Sequence, residues 1–381
     1  MVYLDYNAST PVDQRVLPAL LEAHQVFGNP ASSHHHAGQS AAELIEEARC
    51  RVALLVGRPA QDVIFTSGAT EAAALGLLGV MLGATGRPNI VVSATEHKAI
   101  LAAAELGARL SGGEVRIARV NEDGLTDLTN LESLIDDSVA VVAVIAANNE
   151  TGVLTPVAEM AAIAERSGAL NFIDATQLVG KGPVDEVAKA ADLLVFSSHK
   201  IYGPKGAGAI IASRTTQKAI VPIASGGGQE RGLRGGTHNT PSIVGFGLAA
   251  ELAMKEQASD MARVAELAGE LLAALKSQVP DIRVNGARAE RLPNTLNLRF
   301  VGADADAVMA SMPEVHVSSG SACQSAVPTA SHVLLAMGMG GKEASESLRI
   351  SLGRPTTRAE IRVAASSIAD AVTRVRELTS E

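Results

Sequence analysis

The sequence predicts an α/β protein, with a large domain built on a mainly parallel, mixed sheet flanked by helices and a smaller α/β domain beside it. Three observations carry that expectation. Between about residues 38 and 210, short β-branched runs alternate with stretches of helical periodicity. The most apolar run, Val139–Ala146, is continuous rather than alternating, as in a parallel strand covered on both faces. Strand after strand then stops at polar residues, the edge at which open α/β sheets hold ligands. The expected division is residues 15–255 for the large domain, and 1–14 with 256–381 for the small one.

The elements follow in order. Ala37–Val56 interleaves apolar residues with Glu43, Glu46, Glu47, Arg49 and Arg51, an amphipathic helix. Val63–Thr66 is a short strand that turns through Gly68, Ala69 and Thr70 into an Ala/Leu-rich helix over Ala72–Met81. Asn89–Ser93 is a strand ended by Glu96 and His97, and Ala99–Leu106 is a helix. Asn148, Asn149 and Glu150 stop the strand Val139–Ala146, and a helix follows over Val157–Arg166. Asn171–Ile173 ends at Asp174, Leu193–Phe196 ends at Ser197, Ser198, His199 and Lys200, and Ala209–Ala212 is a further strand. The stretch ASGGGQERGLRGGTHNT, residues 224–240, holds six glycines and two arginines, which predicts a loop with a functional or interface duty. A long helical region from Ser242 to about Val279, with a bend expected near its middle, leads to the strand Thr295–Phe300 and a helix near Ala303–Ser311. A loop around Ser318–Ala326 and helices over Ser331–Met337 and Arg358–Leu378 complete the chain.

Composition narrows the function. Hydrophobic residues make up 47% and charged residues 19% of the 381 positions, a balance that sets aside disorder, collagen and coiled coil. A formal net charge of -9 argues against a protein whose main task is gripping a polyanion. Two cysteines, Cys50 and Cys323, cannot build a disulfide framework, so a reducing compartment is expected. The amino end lacks a basic region followed by an apolar core, and the apolar stretches are too short to span a bilayer, so a cytoplasmic setting with no membrane partner is expected.

Several residues read two ways. Lys200, just beyond a buried strand, is either a desolvated amine able to form an imine with an aldehyde or a solvated loop lysine. Asp174 either faces a cationic partner such as a protonated pyridine nitrogen or caps the segment after it. The turn Gly68–Ala69–Thr70 either binds an anion at a helix amino terminus or is ordinary capping; it is neither a phosphate-binding P-loop nor a dinucleotide fingerprint. His97 serves acid/base chemistry, ring stacking or capping. The run His34, His35 and His36 lacks the companions of a metal site, and no metal is expected. Cys323, among small and polar residues in VSSGSACQSAVP, is either a thiol suited to attack another sulfur or an inert one. Cys50, on the amphipathic helix, fits an inert half-buried thiol.

In chain order, YLDYNAST, FGNPASSHHHAG, FTSGATE, EHKA, NNETG, DATQ, SSHKIYGPKG, RGGTHN, SSGSAC and RISLG span nearly the whole sequence. With them the chain resembles the cysteine desulfurases of the NifS/IscS kind, within the class V aminotransferases. The resemblance implies fold type I of the pyridoxal-phosphate-dependent transferases and pyridoxal 5'-phosphate bound covalently to Lys200. It implies that Asp174 pairs with the pyridinium nitrogen, Gln177 contacts the phenolic oxygen and His97 stacks on the ring. Ala69, Thr70, Ser197 and His199 would hold the phosphate, with Thr237 reaching over from the second subunit of a homodimer. RGGT replaces a more usual R-S/A-G-T wording but keeps Gly236 and Thr237. Asn149 and Arg349 would hold the carboxylate of L-cysteine, and Cys323, on a loop of the small domain, would be the nucleophile. The catalytic residues so implied are Lys200, His97 and Cys323. The implied reaction releases L-alanine and leaves a persulfide on Cys323 for a protein acceptor, either an iron–sulfur scaffold or a thiolation enzyme. Direct nucleic-acid binding is not expected. A selenocysteine lyase, an ordinary aminotransferase and a non-catalytic scaffold of the same fold stand as alternatives.

Overall fold

The computed structural model describes residues 1–319 and 330–380. Its strands in chain order are β1 (Val2–Tyr3), β2 (Val63–Thr66), β3 (Asn89–Ser93), β4 (Val115–Ala118), β5 (Val139–Ile145) and β6 (Leu170–Asp174). They continue with β7 (Leu193–Ser197), β8 (Gly208–Ala212), β9 (Ile282–Val284), β10 (Thr295–Phe300), β11 (Val315–His316) and β12 (Ser347–Ser351). Among the described residues, a seven-stranded sheet runs in the order β2-β8-β7-β6-β5-β3-β4. β4, β3, β5, β6 and β7 are parallel; β8 is antiparallel to both β7 and β2. β2 therefore points the same way as β7, and every strand but β8 ends on one edge. A sheet of β12, β10 and β9 and a parallel pair of β1 with β11 lie apart from it.

Helices cover both faces of the large sheet, which is why β5 reads VAVVAVI and is buried along its whole length. One face packs on the helices His36–Leu55, Val157–Arg166 and the first half of Thr240–Gln278, with Phe196 and Phe246 meeting edge to face at 5.5 Å. The other face packs on Ala69–Gly83 and Lys98–Ser111 around Phe172. Burying each such phenylalanine stabilises the fold by about 1.5–3 kcal/mol and fixes the strand that carries it. A separate core gathers Val2, Leu4, the second half of Thr240–Gln278, β10, β12 and the last helix, Arg358–Ser380. The helix expected from Ser242 with a bend is one element of 39 residues, started two residues earlier by Asn239, whose side chain accepts the Ser242 N–H.

One local expectation needs correction. Cys50 is exposed, not half-buried. The helix is turned by its neighbour: Arg49 faces inward to pair with the buried Glu230, which sends Cys50 outward. Of the three histidines, His35 uses its ring Nδ1 to accept the Gly38 N–H and cap that helix. Among the described residues no cluster of three or more His, Cys, Asp or Glu side chains could hold a metal ion, and no helix is long and apolar enough to cross a membrane.

Candidate active site

Because β2, β3, β5, β6 and β7 end on one edge, the residues after them meet around a cavity of about 420 Å³. Ala69, Thr70, His97, Asn149, Asp174, Gln177, Ser197, His199, Lys200 and Arg349 all line it. Thr237 does not; it is exposed on the loop before the long helix. Cys323 lies outside the described residues.

Lys200 closes a single 3-10 turn, Ser198–Lys200, directly after β7. Its Nζ donates to the main-chain oxygens of Asn7 and Ala8, the latter at 2.8 Å, so the amino-terminal segment is tied to the lysine. Two residues later Tyr202 adopts φ 67°, a left-handed conformation that costs a non-glycine residue about 1–3 kcal/mol. It is held there from several sides. The Tyr202 N–H donates to Thr10 Oγ1, its hydroxyl accepts the Arg354 N–H at 2.6 Å, and the Arg354 guanidinium sits 4.3 Å from its ring centroid.

Asp174 is the last residue of β6 and is buried, with Oδ1 accepting the Thr176 N–H at 2.9 Å. His97 caps the helix Lys98–Ser111: its Nδ1 accepts the Ala99 N–H at 3.1 Å, which leaves the ring proton on Nε2. Burial pushes the His97 pKa down, and Asp174 pulls it partly back up. Glu96, which precedes His97, is fully buried, with one oxygen accepting the Ile145 N–H and the other without a partner among the described residues. Burial first and the Asp174 charge second raise the Glu96 carboxyl well above its ordinary range.

The opposite end suits an anion. Helix Ala69–Gly83 starts at Gly68 with no side chain capping its first turn, so its amide N–H groups face the cavity's end. This loop lies against β8 so closely that a Cβ on Gly208 would fall 2.6 Å from the Gly68 Cα, which is why glycine is needed at 208. Ser197 flanks the loop, and His199 pairs its Nδ1 with Ser9 Oγ at 3.2 Å. Burial, helped by the Lys200 charge, lowers the His199 pKa to about 4, so its ring is neutral near pH 7.

Arg349 comes from β12 of the smaller core. Its guanidinium is buried, donates through Nη1 to the Asn149 main-chain oxygen at 3.2 Å and through Nη2 to Asp5 Oδ1 at 2.7 Å, and has no partner for its buried Nε among the described residues. The described residues that flank 320–329 are fastened beside it. Ser318 exchanges two main-chain hydrogen bonds with Arg349, and Ser331 Oγ donates to Glu150, next to Asn149.

Sequence reasoning did not pick out Asn7, Asp5, Glu96 or Lys181 as parts of this site. The first two reach it from the far end of the chain, over 193 residues to Lys200 and 344 to Arg349, and no local pattern encodes such a meeting. Glu96 and Lys181 carried a signal in hindsight: ionisable residues inside stretches that must be buried.

The model of the class-V aminotransferase family matches residues 2–363. A cysteine desulfurase from Frankia sp. (strain EuIK1) is 47% identical, with the match covering 100% of this chain and 93% of the relative. A solved NifS-like protein superposes with a TM-score of 0.89 at 32% identity, over 98% of this chain and 99% of that one. A structure described as SspA in complex with cysteine superposes with a TM-score of 0.81 at 30% identity, over 94% and 100%. The chain belongs to the cysteine desulfurases, a pyridoxal-phosphate-dependent branch of the class-V aminotransferase family.

Proposed function

We propose that this protein takes the sulfur of L-cysteine onto Cys323 as a persulfide, releases L-alanine and passes the sulfur to a protein acceptor. The observation that carries the reading is that Lys200 and Asp174 line one cavity with the buried Arg349. The donor set fits pyridoxal phosphate: a primary amine for the aldehyde, a carboxylate for the ring nitrogen, and an uncapped helix amino terminus for the phosphate. Held by Lys200, His97 and Gln177, that group would supply an electron sink which labilises the substrate's Cα proton and its carbon–sulfur bond.

The protein's own groups do the rest. Arg349 and Asn149 hold the substrate carboxylate, a task suited to the guanidinium fork, whose Nε has no partner among the described residues. Lys200 Nζ takes the Cα proton and returns it. His97, neutral and protonated on Nε2, moves a proton at the departing sulfur. The Cys323 thiolate attacks that sulfur, so a carbon–sulfur bond breaks as a sulfur–sulfur bond forms, and the carbon left with the electron pair takes up a proton to become the methyl group of alanine. Cysteine plus thiol gives alanine plus persulfide, and no external oxidant is required. The anchoring of Ser318 and Ser331 beside Arg349 and Glu150 supports a nucleophile carried between them.

The same reading has two protomers, since Thr237 lies outside its own chain's cavity on a glycine-rich loop. The acceptor is a protein of iron–sulfur assembly or thiolation in the cytoplasm; the net charge of -9 disfavours direct delivery to nucleic acid. The test is substitution. Cys323→Ala abolishes alanine release from L-cysteine while the visible band of bound cofactor persists, and Lys200→Ala loses the band. Undiminished alanine release by Cys323→Ala identifies an enzyme that removes the sulfur without Cys323, such as a selenocysteine lyase, and a keto acid in place of alanine identifies an aminotransferase. Incubation of the wild type with labelled cysteine and candidate proteins identifies the acceptor.

A further inference from the structure

Lys181 is a buried lysine that the reaction above does not use. It lies four residues after Gln177 on the turn that follows β6, where Leu178 and Val179 both donate to the Ala175 oxygen. The turn is possible because Gly180 has φ 74°, with Ile201 so near that a Cβ there would come within 2.8 Å of it. Lys181 is 6% exposed, and among the described residues no carboxylate pairs with it. Its hydrogen-bond partners are neutral: Nζ donates to Gln177 Oε1 and lies 3.4 Å from Asn7 Oδ1. The positively charged groups that bear on it are Lys200 and Arg349. Burial and those two charges together keep its pKa well below that of an ordinary lysine.

The other end of the same amide reaches the cavity. Gln177 Nε2 donates to the Asn7 main-chain oxygen at 2.9 Å, and Lys200 Nζ donates to that same oxygen. Asn7 is itself fixed: its Nδ2 donates to Thr295 Oγ1 at 2.9 Å, and its Oδ1 accepts from Asn294 at 3.0 Å. A donor at Lys181 and an acceptor at Asn7 admit one orientation of the Gln177 amide. Flipping it would lose the Gln177 N–H on the Asn7 main-chain oxygen and set carbonyl against carbonyl there.

We propose that Lys181 is a positioning residue, which holds Gln177 Oε1 so that the amide N–H faces the Lys200 end of the cavity and donates to the phenolic oxygen of the cofactor. The inference rests on the reading of Lys200 and Gln177 given above. A donor on that oxygen draws charge from it and weakens its hold on the proton shared with the Lys200 nitrogen, so the pinned amide lowers the pH at which that proton is lost.

The experiment is a pH titration of the visible absorption of the cofactor-loaded protein, for the wild type, Lys181→Met, Gln177→Ala and the double variant. Lys181→Met is expected to raise the midpoint by about one pH unit, the worth of one hydrogen bond. In the Gln177→Ala background the same substitution is expected to change nothing further. Lys181→Gln, a neutral side chain that keeps a donor, should move the midpoint less than Lys181→Met; if the latter does not fold, this variant carries the comparison in both backgrounds. An unmoved midpoint, or an equal shift with and without Gln177, overturns the proposal, the second result showing that Lys181 acts by its own charge. A wild type that forms no visible band overturns the underlying reading and this proposal with it.

Discussion

The Arg349 guanidinium in β12, which lines the cavity, donates to Asp5 Oδ1 at 2.7 Å, joining two residues 344 positions apart. The pair turns the guanidinium toward Asn149 and leaves Nε for another acceptor. Arg349→Lys keeps the charge but loses the fork, so KM for L-cysteine should rise at least about tenfold. Steady-state kinetics on L-cysteine check this.

Glu230 should be a dominant stability residue. Its carboxylate is buried, takes two hydrogen bonds from Arg49 at 2.8 Å, one from the Phe65 N–H and one shared with His238, and sits at φ 43° in the loop that leads to Thr237. Burial alone would raise its pKa, but Arg49 and His238 bring it down to about 2. Glu230→Ala leaves the buried Arg49 with only the exposed Glu46 carboxylate and the Val63 carbonyl as partners among the described residues, so denaturant unfolding should show a loss of about 3–5 kcal/mol. A change below about 1 kcal/mol would contradict the assignment.

His199 predicts a pH dependence of stability. Its folded pKa, near 4, lies below the ordinary 6.5, so between those values the unfolded chain binds more protons than the folded one. The contribution is present above pH 6.5 and is lost as pH falls toward 4. His199→Gln should flatten the fall in denaturation midpoint across that window; parallel curves for the two proteins would contradict it.

Gly208→Ala should loosen the anion end of the cavity without touching Lys200. The new methyl would meet the Gly68 backbone, which must shift and take the helix amino terminus with it. Overpacking of this kind costs about 1–3 kcal/mol. Cofactor retention during gel filtration should fall while the visible band of the fraction still loaded keeps its position.

Much of this architecture can be read from the chain because buried strands are written as apolar runs. Val63–Thr66, Asn89–Ser93 and Thr295–Phe300 coincide with their expected limits, and Asp174 and Lys200 stand at strand ends where a ligand is expected. What stays illegible is short or assembled at long range. β4 is four residues with Arg116 and an exposed Ile117, too little pattern to separate from a loop. β12 reads SLRIS, and its serines and Arg349 are buried only because β10 and the amino-terminal segment pack around them. The exposure of Cys50 is equally illegible, because an ion pair, not hydrophobicity, sets which side of the helix at Arg49 faces inward.

The most direct measurement of the central claim is mass spectrometry of the cofactor-loaded protein after a single exposure to L-cysteine, with alanine counted in parallel. The account predicts one added sulfur atom on the peptide that contains Cys323, one alanine per active site, and neither product in Cys323→Ala. Alanine formed without added sulfur on that peptide, or formed equally by Cys323→Ala, would contradict it.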